Sequence, residues 1–199
     1  MRVLWIFLIL ALVVGGCSYF TGKSTYNQMV VLQEQVASQT GQLQNVYQRR
    51  ADLIPNIVET VKGYANFEQN TLTQVANARA QVGSFQLTPE TLKDPEAMAQ
   101  FDAKQGQLMQ AMKSMLSVAE NYPDLKANSN FQALIVELEG SENRISTERK
   151  KYNDVAKEYN THIKQFPTNI FANMFGFKEI SYFQAQAGSE QAPKVNFGN

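Results

Sequence analysis

Hydrophobic side chains keep a seven-residue register along the last third of the chain. Phe131, Leu138, Ile145, Tyr152, Tyr159 and Phe166 follow one another without a miss, and no proline falls between them. Such a repeat predicts one long helix with a continuous seam for neighbouring helices. At about 1.5 Å per residue it spans roughly 50 Å. The companion register, Ile135, Glu142, Arg149, Ala156 and Ile163, is apolar at its ends and charged in its middle. The seam therefore reads as a bundle seam with a polar waist. Glu142 and Arg149 stand about 10 Å apart along the axis, too far to pair with each other. Polar groups on neighbouring helices are expected to meet them and fix the register. Asn153 and Asn160, next to the ladder tyrosines, read as flank or register residues.

Upstream the apolar stripes are thinner. Met29, Val30, Val36, Leu43, Val46 and Tyr47 predict a rim helix over 26–50. A second helix is expected over 53–82 and a third over 95–120, with Asp94 as cap and Pro95 at its first position. The methionines at 98, 109, 112 and 115 sit at helical spacing and read as core. Pro55 interrupts the first pattern, because it lacks an amide hydrogen and clashes with the preceding turn. Either one very long helix kinks there or the chain reverses at 50–55; matching helix lengths favour reversal. A second turn over 121–128 precedes the ladder helix, capped by Asn128 or Ser129. The expected fold is all-α, an antiparallel four-helix up-and-down bundle over 25–183. Phe166-Pro167 stops the ladder. The aromatic-rich segment from Ile170 to Phe183 then folds back on the bundle end or touches a membrane surface, and the tail over 184–199 reads as disordered.

The N-terminus has its own pattern. After Arg2, residues 3–14 (VLWIFLILALVV) form an unbroken apolar run of twelve, followed by Gly15, Gly16, Cys17 and Ser18. Twelve is the length of a signal-peptide core, short of the ~20 residues of a bilayer span. A branched residue, two small residues and a cysteine resemble a bacterial lipobox. That resemblance implies cleavage before Cys17 and lipidation there, with acyl chains holding the protein to a membrane. The alternative is an uncleaved anchor over 3–20. The expected division is a signal peptide or anchor over 1–16, a linker over 17–24, and a body outside the cytoplasm in a bacterial envelope.

Composition narrows the chemistry. Eighteen basic side chains balance eighteen acidic ones, so nothing favours a nucleic-acid partner. One cysteine and one histidine, His162, exclude an internal disulfide and a Cys/His zinc site. Helical di-metal centres use Glu-x-x-His pairs, and Tyr159 stands three residues before His162. No phosphate loop or nucleophile elbow is present. Candidate acids such as Glu59, Asp124 and Glu142 are scattered along helices. No enzyme, metal or cofactor is expected.

Several segments carry a resemblance: Tyr26-Asn27, YQRRADLIPN with IVETVKGYA, ENYPDLKANSNF, ERKKYNDVAKEYNTHIKQFP, and Gly176-Phe177. In this order they resemble the LemA family over most of 26–183. The resemblance implies a membrane-anchored bacterial helical bundle without an assigned catalytic residue. With reversal at Pro55, the turns at 50–55 and 121–128 share the membrane-distal end. Arg49, Arg50, Asp52, Asn56, Asp124, Lys126 and Asn128 would gather there as a recognition tip. Helix capping by Asp52 and Asp124 is the competing role. The expected function is a scaffold or adaptor for protein partners; the alternative is a self-assembling structural protein of the membrane surface.

Overall fold

A computed structural model describes residues 2–64 and 68–184 of the chain. It is helical, and no strand occurs among the described residues. The elements are α1 (Arg2–Lys62), α2 (Gln69–Gly83), α3 (Pro89–Lys93), α4 (Pro95–Ala119), α5 (Pro123–Lys126), α6 (Ser129–Lys164) and α7 (Thr168–Phe175). An extended strap, 177–184, follows. The tail expected to be disordered lies outside the described residues from 185 onward.

The reversal expected at Pro55 does not occur. α1 runs through the proline for 61 residues, and through 17–24, the expected linker. Proline inside a helix leaves the carbonyl four residues back without its amide donor, a defect costing about 3 kcal/mol in isolation. Here the Ala51 carbonyl accepts from Arg79 Nε of α2 at 3.2 Å. A neighbouring helix thus replaces the missing donor. α1 ends at Lys62 instead, and Arg79 beside Ala51 fixes α2, from Gln69, as antiparallel to the end of α1.

Other contacts give the remaining directions. Gln39 meets Glu148 and Arg49 meets Glu137, so α6 runs antiparallel to α1. Tyr47 packs on Phe101 and Arg50 bonds Gln105, so α4 runs parallel to α1. Asp94 caps α4 by accepting from the Glu96 and Ala97 amides, with Pro95 in the first turn. Asn128 caps α6 by accepting from Phe131 N–H at 3.0 Å.

Two apolar clusters fill the interior. One joins Ile54, Ile57, Val61, Leu72, Val75, Leu108, Met112, Met115, Leu125 and Leu138. The other joins Met29, Val36, Leu43, Tyr47, Phe101, Ile145, Tyr152, Tyr159, Ile180 and Phe183. Five of the six ladder residues are buried, while Phe166, beyond the end of α6, is 81% exposed. At the opposite extreme of α1, the large apolar residues from Leu4 to Leu10, with Leu12, Val13, Tyr19 and Phe20, are exposed. Among the described residues no helix is long and apolar enough to cross a membrane.

Candidate functional site

The predicted tip divides in two. Asp124, Lys126 and Asn128 lie at the 120–128 turn, where they meet Tyr64 just past the end of α1. Asn128 Nδ2 donates to Tyr64 Oη at 2.9 Å, and that hydroxyl lies 3.4 Å from the Asp124 carbonyl oxygen. The tip is therefore built from Tyr64 and the 120–128 turn. Asn128 serves there both as helix cap and as tie between the turns. The side chains of Asp124 and Lys126 are exposed.

Arg49, Arg50, Asp52 and Asn56 are not at the tip. With α1 continuous, Arg50 sits twelve residues before its end, about 18 Å down the axis. Arg49 pairs on the surface with Glu137 at 2.7 Å, and Asp52 accepts from Gln48 one turn earlier. Asn56 is exposed, and its backbone carbonyl accepts from Thr60. Arg50 is buried, at 3% exposure. Its Nη1 donates to Glu142 at 2.7 Å, its Nη2 to Gln105, and its guanidinium stacks 5.3 Å from the Tyr47 ring centre.

These contacts form the polar waist that the α6 register predicted. Arg50, Gln105 and Ser141 are buried at one level between the two apolar clusters. Glu142 joins Arg50 across to α1, and Arg149 joins Asp102 of α4 at 2.8 Å. Burial raises the Asp102 carboxyl above its ordinary value, with the charge and hydrogen bond of Arg149 opposing. Burial likewise pushes the Tyr47 hydroxyl from 10.0 up to about 12, against the pull of Arg149 and Arg50. A buried ionic layer of this kind adds little net stability but penalises any register that leaves a charge unmet.

Below the waist the ladder helix does something its sequence reading did not capture. Asn153 and Asn160 are not flank residues: each closes a two-bond amide pair on the strap. Asn160 Nδ2 donates to the Ile180 carbonyl at 2.7 Å while Ile180 N–H donates to Asn160 Oδ1 at 2.9 Å. Asn153 repeats the arrangement on Phe183, both bonds at 2.9 Å. The hydroxyls of Tyr152 and Tyr159 donate to the Ser181 and Lys178 carbonyls at 3.0 Å. Ser181 N–H reaches Leu92 O at 2.7 Å, and the Arg149 guanidinium covers the Phe183 ring at 4.7 Å. The spacing works because seven helical residues rise about 10.5 Å and three extended residues about 10 Å. The Tyr-Asn doublet repeated at 152–153 and 159–160 was the sequence signal for this clamp. An open groove of about 670 Å³ lies between the strap and α4, with Met98, Ala99 and Tyr182 in its walls.

The structure does not describe the side chain of Cys17, whose backbone lies in the helical run of α1. Among the described residues no group of three or more His, Cys, Asp or Glu side chains could share a metal ion.

Comparison with known proteins matches residues 39–197 to the LemA family. The LemA protein of Metamycoplasma hominis is 25% identical over 179 residues, covering 90% of this chain and 78% of the relative. Magnetosome protein MamQ 2 of Paramagnetospirillum magneticum is 25% identical over 181 residues, and MamQ of Magnetospirillum gryphiswaldense 23% over the same length. Each match takes 83% of this chain and spans 66%, just under two thirds, of the magnetosome relative.

Proposed function

This chain belongs to the LemA family, and we propose that it is a non-catalytic, envelope-anchored scaffold that stands on a bacterial membrane and offers its far end to a protein partner. One observation carries the reading. A single helix, α1, has exposed apolar side chains at one end, Leu4 to Leu10 with Leu12, Val13, Tyr19 and Phe20, and the Tyr64–Asn128 tip at the other. Exposed apolar surface of this extent favours a lipid environment. Anchoring is through lipidated Cys17 or through residues 3–20 themselves. The directions of α1, α2, α4 and α6 support a four-helix up-and-down bundle as the body. Balanced charge fits a protein partner better than nucleic acid.

The test is photo-crosslinking in intact cells from a probe at Lys126, with mass spectrometry of the captured species and of the mature N-terminus. Capture of one distinct protein from a membrane-bound chain is the expected result. Chain recovered free of membrane would overturn the anchoring, and capture of itself alone would replace the adaptor with a self-assembling coat. An acyl-modified N-terminal cysteine would decide for the lipoprotein; an intact Arg2 would decide for the uncleaved anchor.

A further inference from the structure

We propose that α7 is a second membrane contact, a foot resting in the headgroup layer beside the anchor; this deepens the anchored reading above and rests on it. Residues 165–177 (QFPTNIFANMFGF) contain no charged side chain. One face of α7 is packed: Thr168 and Ala172 are buried, and the Phe171 ring lies so close to Gly22 that an added Cβ would approach it to 3.0 Å. On a water-exposed helix the opposite face would carry charge. Here it carries uncharged Asn173 together with Ile170 and Met174, 56% and 64% exposed, and Phe166 beside them at 81%. A short uncharged helix that leaves large apolar side chains on its outward face lacks a second partner.

The position of α7 identifies that partner as lipid. It docks on α1 at Gly22 and Tyr26, the latter packing on Phe175 at 4.9 Å and Phe177 at 5.7 Å. Tyr19 and Phe20, exposed, lie within one turn of Gly22 toward the N-terminus. Together they form a collar of aromatic side chains at the end from which the apolar run departs, the composition of a membrane–water interface. Both fates of the N-terminus place this collar at the headgroups. Residue 14, the end of the uncleaved apolar run, is about 12 Å from Gly22 along the helix, and a lipidated Cys17 about 7.5 Å. Exposed Lys164 and Lys178 adjoin the segment, with Glu179 held by Lys164 at 2.7 Å, which suits the phosphate layer. Ile180 and Phe183 take no part, because the clamp buries them.

The experiment uses the full chain with Trp5→Phe, so that a tryptophan introduced at Ile170 is the only one, reconstituted into phosphatidylcholine vesicles with brominated acyl chains. The control carries the tryptophan at Val136, exposed on α6. Both proteins are recovered by flotation with the vesicles. At least twofold quenching at position 170, with a blue-shifted emission, against none at 136 is the expected result. Floated protein in which position 170 is quenched no more than 136 overturns the foot and leaves the anchor standing. Protein that does not float overturns the anchoring, and the foot with it. Unchanged melting temperatures for the two variants establish that the probes have not disturbed the fold.

Discussion

Above the Arg50–Glu142 layer and below it, the molecule solves the same packing problem differently. The distal half surrounds an aliphatic and methionine core with α1, α2, α4 and α6, and Leu108, Met112 and Met115 are at most 1% exposed there. The proximal half has lost α2, which ends at Gly83. Its place beside α4 and α6 is taken by the strap, an extended segment that cannot satisfy its own backbone groups. Tyr152, Asn153, Tyr159 and Asn160 satisfy them instead. The distal half is thus held by non-directional burial and the proximal half by directed bonds on a tyrosine-rich core. Burial tolerates small shifts in register; paired amides do not.

Four tests probe this contrast. Met115→Ala, in the distal core, is expected to lower the unfolding free energy by about 4 kcal/mol through lost burial and a cavity, read by urea denaturation. Arg50→Ala, between the halves, is expected to cost about 3 kcal/mol because Glu142 and Gln105 lose their partner. Arg50→Met combined with Glu142→Leu should recover most of that loss, and failure to do so would give the ionic layer a larger share of stability than burial arguments allow.

The third test depends on pH. The folded-state pKa of Tyr47 is raised from 10.0 to about 12, so its contribution is fully present below pH 10. It is lost as pH rises through 12, when ionisation in the unfolded chain is favoured. The loss is roughly 2–3 kcal/mol at about 1.4 kcal/mol per pKa unit. Tyr47→Phe keeps the ring on Phe101 and deletes a buried hydroxyl that has no hydrogen-bond partner, so it should shrink the alkaline decline of melting temperature without lowering it at pH 7. Last and smallest, Asn160→Ala removes both bonds to Ile180 and is expected to cost about 2 kcal/mol. Hydrogen exchange should accelerate at Ile180 and Phe183 while Leu108 and Met112 keep their protection. Uniform acceleration would show that the halves unfold together.

What the sequence revealed and what it concealed follow the range of the forces involved. The α6 seam, the Asp94 and Asn128 caps and the charged waist are encoded by residues a few positions apart on one helix, and periodicity exposes them. The continuity of α1 was hidden because the local penalty at Pro55 is met by Arg79, 24 residues on, and no local rule anticipates that donor. Misplacing the turn then carried Arg49, Arg50, Asp52 and Asn56 to a tip they do not occupy, while Asp124, Lys126 and Asn128 do occupy it. The clamp was hidden for another reason. An asparagine that reads as a helix-flank residue shows its role only when the extended segment it holds is already in place.

The unbroken α1 has a consequence for distance. From the Gly22 collar to Lys62 it contains 40 further residues in helical conformation, an axial length of about 60 Å. A hinge at Pro55 would have let the far turns swing; a helix whose freed carbonyl is held by Arg79 does not bend freely at that point. Under the proposed seating of the collar on the headgroups, α1 would act as a spacer of fixed length, setting the height of the 120–128 turn above the bilayer.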